Sequence, residues 1–295
     1  MRNQFGRRLL FPTSFSDACF RTTPVLSEWM DDPEARLTLL HVYDTKKSSR
    51  REIERQLHSF FAEADQYGRC ERILLAGDPK TQILEHCRRH RYDLLFLPAS
   101  EPTGFPRIGH RSLRASLLRE GHVPVWTNSD FSRSGAKRQS PKNVAYVMTN
   151  EPNWKEHCVE AAAAAARWNA VFHVIYVFPV PDVDDGTLAG DLFTGRDAGP
   201  LEALRAIVSQ LSVTFKVHTS TGHERFEVRR LLKEAQADLA FMSSSKAMTR
   251  GLFGLRMSPV LNSVQCQFVC FPDNPRPEVL EQPRLVDQLA LPDAG

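Results

Sequence analysis

One segment is written twice in this chain. The first copy runs from Gly77 through Ile83 and Cys87 to Asp93-Leu-Leu-Phe-Leu-Pro-Ala-Ser100. The second runs from Gly222 through Val228 and Leu232 to Asp238-Leu-Ala-Phe-Met-Ser-Ser-Ser245. In each, a glycine ends an apolar stretch and a helical pattern follows. An aspartate sixteen residues after the glycine then opens a second apolar run. Apolar runs alternating with amphipathic ones specify strands buried on both faces with helices between them. The right-handed crossover rule makes each copy part of a doubly wound parallel sheet.

The rest of the chain extends both copies in the same order. In the first, strands are predicted at Leu9–Pro12, Leu37–Tyr43, Arg72–Ala76, Leu94–Pro98 and Val123–Trp126. Helices are predicted at Ser16–Met30, with a kink or late start at Pro24, at Arg51–Tyr67, at Thr81–His90 and at Ser112–Glu120. In the second, strands are predicted at Val144–Met148, Val171–Val177, Val213–Thr219, Leu239–Met242 and Phe268–Phe271. Its helices are predicted at Trp154–Trp168, Leu201–Leu211, Phe226–Ala235 and Pro259–Val264. The fold class is therefore α/β: two doubly wound domains, each a five-stranded, mostly parallel sheet with helices on both faces. The division is residues 1–127, a basic, Ser-rich linker at 128–142, a second domain at 143–272 and a Pro-rich tail at 273–295. A length of 295 residues suits two such domains.

Composition narrows the function classes. A net charge of +3 does not by itself imply nucleic acid. No run approaches the roughly 18–20 apolar residues of a membrane span, and the first apolar run is too short for a signal peptide core. A cytoplasmic protein is expected. The six cysteines form no CxxC pair and have no second ligand cluster beside them, so they read as reduced core thiols and no metal is expected.

Several landmarks resemble the universal stress protein family, in a tandem arrangement. Arg8-Leu-Leu-Phe-Pro-Thr-Ser-Phe-Ser-Asp17 is similar to the family's opening strand and turn, and Leu39-Leu-His-Val42 to its second strand. Gly77-Asp-Pro79, Asp93-Leu-Leu-Phe-Leu97 and Ser112 through Pro124-Val125 follow in the family's order. The resemblance spans about 8–127, and over 143–272 it rests mainly on Gly222–Ser245 and Phe268-Val269. It implies an adenine nucleotide alpha hydrolase-like fold and a stress-response or regulatory role.

Part of that family carries Gly-x2-Gly-x9-Gly-Ser/Thr after the fourth strand and an aspartate after the first, which together hold ATP. Backbone N–H groups freed by glycine close around phosphates, and a helix N-terminus adds positive potential. Here the three glycine positions fall on Pro98, Glu101 and Arg111, and the aspartate position on Ser14. Only Ser112 matches. In the second copy the corresponding positions are Met242, Ser245 and Leu255, with Thr149 after the first strand. The resemblance thus implies a vestigial nucleotide or anion cleft at Ser14, Val42, Gly77, Ser100, Arg111 and Ser112. No cofactor is expected, with ATP or AMP the alternative. The loop carrying Arg107, His110, Arg111 and Arg114 reads as a solvated basic loop, or as an anion site built from side-chain cations. Gly77 and Gly222 read first as tight strand-to-helix turns.

Enzyme readings find no support. Pro12-Thr-Ser-Phe-Ser-Asp17 lacks the glycines of a pyrophosphate loop, Gly109-His110 lacks a first histidine, and no Gly-x-Ser-x-Gly is present. The expectation is a non-catalytic module acting through pairing or a protein partner, with a nucleotide sensor or weak ATPase as the rival. The partner is foremost the chain itself, as an intramolecular pseudo-dimer that could pair again into a homodimer. Nucleic acid and membrane are not expected partners. The candidate pairing edges are Val123–Trp126 and Phe268–Phe271.

Overall fold

The computed structural model describes residues 5–46, 49–99, 113–128, 140–149, 151–178, 206, 213–251, 254–257 and 263–273. The first half comprises β1 (Arg8–Pro12), α1 (Asp17–Met30), β2 (Arg36–Tyr43), α2 (Arg50–Ser59), β3 (Cys70–Ala76), α3 (Pro79–Arg89), β4 (Leu94–Phe96), α4 (Leu113–Glu120) and β5 (Val125–Asn128). The second comprises β6 (Asn143–Val147), α5 (Trp154–Arg167), β7 (Val171–Phe178), β8 (Phe215–Thr221), α6 (Glu224–Glu234), β9 (Leu239–Ser243), a helical turn at Ser244–Ala247, the hairpin β10 (Met248–Gly251) and β11 (Gly254–Met257), and β12 (Gln267–Phe271). The helices expected at Leu201–Leu211 and Pro259–Val264 fall mostly outside the described residues, as do the linker and the tail beyond Asp273.

Ten strands form one sheet in the order β3-β2-β1-β4-β5-β12-β9-β6-β7-β8. Each half contributes five, and the second repeats the order of the first outward from the seam. Within each half the described pairs are parallel. At the seam β5 and β12 run antiparallel, Val269 opposite Trp126 and Phe268 opposite Thr127. Two apolar layers cover the sheet. One holds α1, α2 and α5 (Leu26, Leu57, Ala161), and the other holds α3, α4 and α6 (Ile83, Leu117, Leu231). Both layers run across the seam.

The two aspartates of the repeat do the same work. The Asp93 carboxylate accepts from the backbone N–H of Arg8 at 2.8 Å and of Arg7 at 3.2 Å, where β1 begins. The Asp238 carboxylate accepts from Lys142 and Asn143 at 2.8 and 2.9 Å, where β6 begins. Each therefore fixes the register of its half's first strand against its fourth. The glycines are turn residues: φ is +132° at Gly77 and +141° at Gly222, values that L side chains rarely adopt. After Gly77 the chain enters α3 with Asp78 as cap, its carboxylate accepting from the Thr81 N–H at 2.9 Å, and Pro79 in the first turn.

Two helix expectations are corrected. The helix predicted over Arg51–Tyr67 ends at Ser59 and resumes as a 3-10 helix at Ala62–Tyr67. Phe61 between them takes a left-handed conformation, φ +50°. A continuous helix would set Phe60 and Phe61 about 100° apart around its axis, and the left-handed residue changes that relation. The break buries both. Helix α1 runs from Asp17 through Pro24, without the later start considered for it. Pro24 cannot donate to the Phe20 carbonyl, and the Thr23 hydroxyl donates to it instead, at 2.9 Å.

The N-terminal segment ties the halves together. Phe5 lies about 6 Å from the rings of Trp29, Phe241 and Phe271. Trp29 meets Trp168 edge-on at 4.9 Å. Arg167 of the second half donates to the Phe5 carbonyl at 2.8 Å, pairs with Asp32 at 3.3 Å and lies over the Trp29 ring. A Cβ on Gly6 would sit 2.3 Å from a Trp29 ring carbon, so this close approach requires glycine.

Candidate functional site

Strands β1 and β4 are neighbours, and their onward connections leave in opposite directions along the sheet. Open α/β sheets keep a crevice at the carboxyl ends of such a pair. The first half has one of about 380 Å³. Thr13, Ser14 and Ser16 line it from the end of β1, and Leu40, His41 and Val42 from β2. Leu97, Pro98 and Ala99 line it from β4, Ile83 from α3 and Arg114 from the first turn of α4. Ser14 and Val42 are both among its lining residues.

Gly77 lines a shallower depression beside this cleft, with Val42, Asp44, Thr45 and Asp78. Its positive φ belongs to the turn into α3. Ser100, Arg111 and Ser112 lie outside the described residues, as do Glu101, Arg107 and His110.

The turn from β1 into α1 shapes the cleft wall. The His41 Nδ1–H donates to the Thr13 carbonyl at 2.8 Å, and the Thr13 hydroxyl accepts from the Phe15 N–H at 3.1 Å. Phe15 takes a left-handed conformation, φ +58°, and stacks on His41 with centroids 4.3 Å apart. That conformation costs roughly 1–2 kcal/mol for a non-glycine residue, which a ring stack of about 0.5–1.5 kcal/mol partly offsets. Burial holds the His41 imidazole below its ordinary range, against the opposing effect of the Thr13 carbonyl, so the ring is neutral at pH 7. The Ser16 hydroxyl donates to Cys19 Sγ at 3.4 Å, and Ser14 Oγ lies 3.6 Å from the same sulfur.

Arg114 is the one cation among the described lining residues. Its Nη1 donates to the Thr127 hydroxyl at 3.0 Å and to the Asn128 carbonyl at 3.2 Å, both at the end of β5. Burial lowers its pKa, and no carboxylate among the described residues pairs with it. Its neighbour Cys270 is a thiol pushed up to about 12 by burial and carries no charge at pH 7.

The matching region of the second half is narrower. The Ser245 hydroxyl donates to Glu151 at 3.0 Å, its N–H donates to Asp273 at 3.1 Å, and its oxygen lies 2.7 Å from Ser243 Oγ. Partial burial, with Glu151 nearby, raises the Asp273 pKa. Two carboxylates thus converge where the resemblance implied phosphate, which opposes a polyanion. A cavity of about 170 Å³ remains beside them, crossed by a Lys246–Glu224 ion pair at 2.6 Å. The hairpin β10–β11, which the sequence reading missed, occupies the span expected to hold Leu255.

The sequence reading also passed over His41 and Cys19 as cleft residues. His41 stood inside the quoted Leu39-Leu-His-Val42 pattern, and a polar residue at the end of an otherwise apolar buried strand was the available signal. All six cysteines are free, with Cys158 pushed up to about 12 and Cys70 to about 11 by burial. Among the described residues no group of three or more His, Cys, Asp and Glu is placed to hold a metal ion, and no helix is long and apolar enough to cross a membrane.

No family model and no curated protein sequence matches this chain. Solved structures do. A universal stress protein from Archaeoglobus fulgidus superposes with a TM-score of 0.61 at 16% identity, over 92% of this chain and 98% of that one. A functionally unknown protein from Pseudomonas aeruginosa superposes with a TM-score of 0.64 at 15% identity, over 90% of this chain and 93% of that one. At these identities the likeness is one of fold: the α/β architecture seen in universal stress protein structures, over nearly the whole of both chains.

Proposed function

We propose that this chain is a regulatory protein of the universal stress protein type, a tandem of two such units, that works by binding rather than by turnover. The observation that carries the reading is the asymmetry between the halves. One switch-point crevice is open and largely apolar, with a neutral His41 and one cation among its described lining residues. Its counterpart is narrowed to about 170 Å³, with Ser245 tied to Glu151 and Asp273 and a Lys246–Glu224 ion pair across it. A neutral imidazole whose Nδ1–H is held by a backbone carbonyl keeps Nε2 as an acceptor, and no carboxylate stands beside it among the described lining residues. It is adequate equipment for holding a ligand.

In this reading the seam strands satisfy each other within one chain, as the intramolecular pseudo-dimer expected from the sequence. A second copy or another protein would then use other surfaces. The rival, an adenine-nucleotide sensor or weak ATPase, draws support from the position of the crevice alone. A thermal-shift screen separates the two. Neutral and charged small molecules, with ATP, AMP and cyclic nucleotides among them, are tested on the wild type and on Ala99→Trp, which fills the cleft. A ligand at about 100 times its Kd stabilises by about 2.7 kcal/mol. The expected result is at least one ligand that shifts the wild type and not Ala99→Trp, with no nucleotide turnover. Turnover of ATP would favour the rival. A blank screen would remove the cleft from the account.

A further inference from the structure

Among its described lining residues the open cleft has a charge without a counter-charge. Arg114 presents a mostly buried guanidinium whose two hydrogen bonds both leave from Nη1 and both end on neutral oxygens. Its Nε is shielded from water and has no acceptor. Neither hydrogen bond offsets the charge, and Nη2 takes part in neither. Desolvating a cation is costly unless an anion meets it. The N-terminus of α4, where Arg114 sits, adds to the positive potential.

The rest of the lining indicates what kind of anion. Leu40, Val42, Ile83, Leu97, Pro12 and Ala18 give it an apolar body. The remaining polar groups are the Thr13, Ser14 and Ser16 hydroxyls and the His41 ring, and none of the described lining residues is acidic. A polyphosphate needs several cations or a nest of backbone N–H groups. Among the described lining residues one guanidinium stands against an apolar wall, which matches one negative charge on an apolar frame. A volume of about 380 Å³ lies at the small end of ligand sites.

We propose that the cleft binds a small organic monocarboxylate, its headgroup against the Arg114 guanidinium and its apolar body against Leu40, Val42, Ile83 and Leu97. This rests on the reading of the cleft as the ligand site, and narrows it to a chemical class distinct from nucleotides. The probes are octanoate, 1-octanol, octyl phosphate and AMP, titrated by calorimetry into the full chain. Octanoate should bind at least about tenfold more tightly than 1-octanol, since a charge-assisted hydrogen bond is lost in the alcohol. Its affinity should fall as chloride rises. Arg114→Gln should abolish the octanoate preference, and Arg114→Lys should retain part of it.

Arg114 also braces Thr127 and Asn128, so a folding defect could mimic lost binding. Ala99→Trp keeps Arg114 and fills the cleft, and must weaken octanoate as well. Equal binding of octanoate and 1-octanol, or octanoate binding that survives Arg114→Gln, overturns the proposal. Preference for octyl phosphate or AMP over octanoate also overturns it, while leaving the cleft as a ligand site. Failure of all four probes in the intact chain overturns it too, and the broader screen then decides whether the cleft itself survives.

Discussion

Asp93 and Asp238 are small residues with a large mechanical role. Each carboxylate accepts two backbone N–H groups at the start of its half's first strand. Hydrogen bonds to a charged group contribute roughly 1.5–3 kcal/mol, and stranded donors cost about 1–3 kcal/mol. Asp93→Ala and Asp238→Ala should each lower stability by roughly 2–3 kcal/mol in urea unfolding. Asn at either position should cost less, because its amide oxygen still accepts. If the two alanine variants differ widely, the equivalence of the two clamps is wrong. Both aspartates were visible in the sequence at constant spacing from their glycines, but what they bind was not. A carboxylate opening a strand says nothing about which distant backbone it meets, since that depends on β1 and β6 lying beside β4 and β9.

At the scale of elements, the seam is the test. Val269 is fully buried between Trp126 on β5 and Phe241 on β9, in the middle of the sheet. Proline there removes a ladder hydrogen bond in a central strand, where it is not tolerated. Val269→Pro should split calorimetric unfolding into two transitions, one per half. A single transition at the wild-type temperature would mean that the seam contributes nothing. The strands were legible because apolar runs bounded by turn residues leave little choice of period. The break at Phe60-Phe61 was not, because the helical pattern of Ile53, Leu57 and Phe60 continued to Phe61 and only core packing decides which rings go inside. The cleft was half legible. Ser14 and Val42 came from the family resemblance and Arg114 from its basic loop, whereas the Thr127 and Asn128 anchors that hold Arg114 depend on β5 lying beside α4.

For the whole molecule, buried histidines set the acid limit. His86 donates to or accepts from Tyr92 at 2.8 Å, and His173 sits between His218 at 2.9 Å and Asn143 at 3.2 Å. Burial first, then the neighbouring histidine, lowers the pKa of each to about 4. Burial also lowers His41, His157 and His218. A folded-state pKa below the unfolded value of about 6.5 means that the native protein binds fewer protons. Stability is then full above about pH 6.5 and falls as the pH drops towards about 4. The urea midpoint should be flat from pH 8 to 7 and decline through pH 6 and 5, before most carboxylates titrate. His173→Gln should shallow that decline. An unchanged midpoint down to pH 5 would show that these rings reach water in the native state.

The order of strands about the β5–β12 seam has one more consequence. A pair of separate identical chains meeting at such a seam is bound by its own symmetry axis. Any substitution made in one crevice is made in the other, and any gain on one side is charged to both. Two halves on one backbone escape that bond. Glu151 and Asp273 can narrow one crevice while Arg114 stays in the other, and each can drift without its twin.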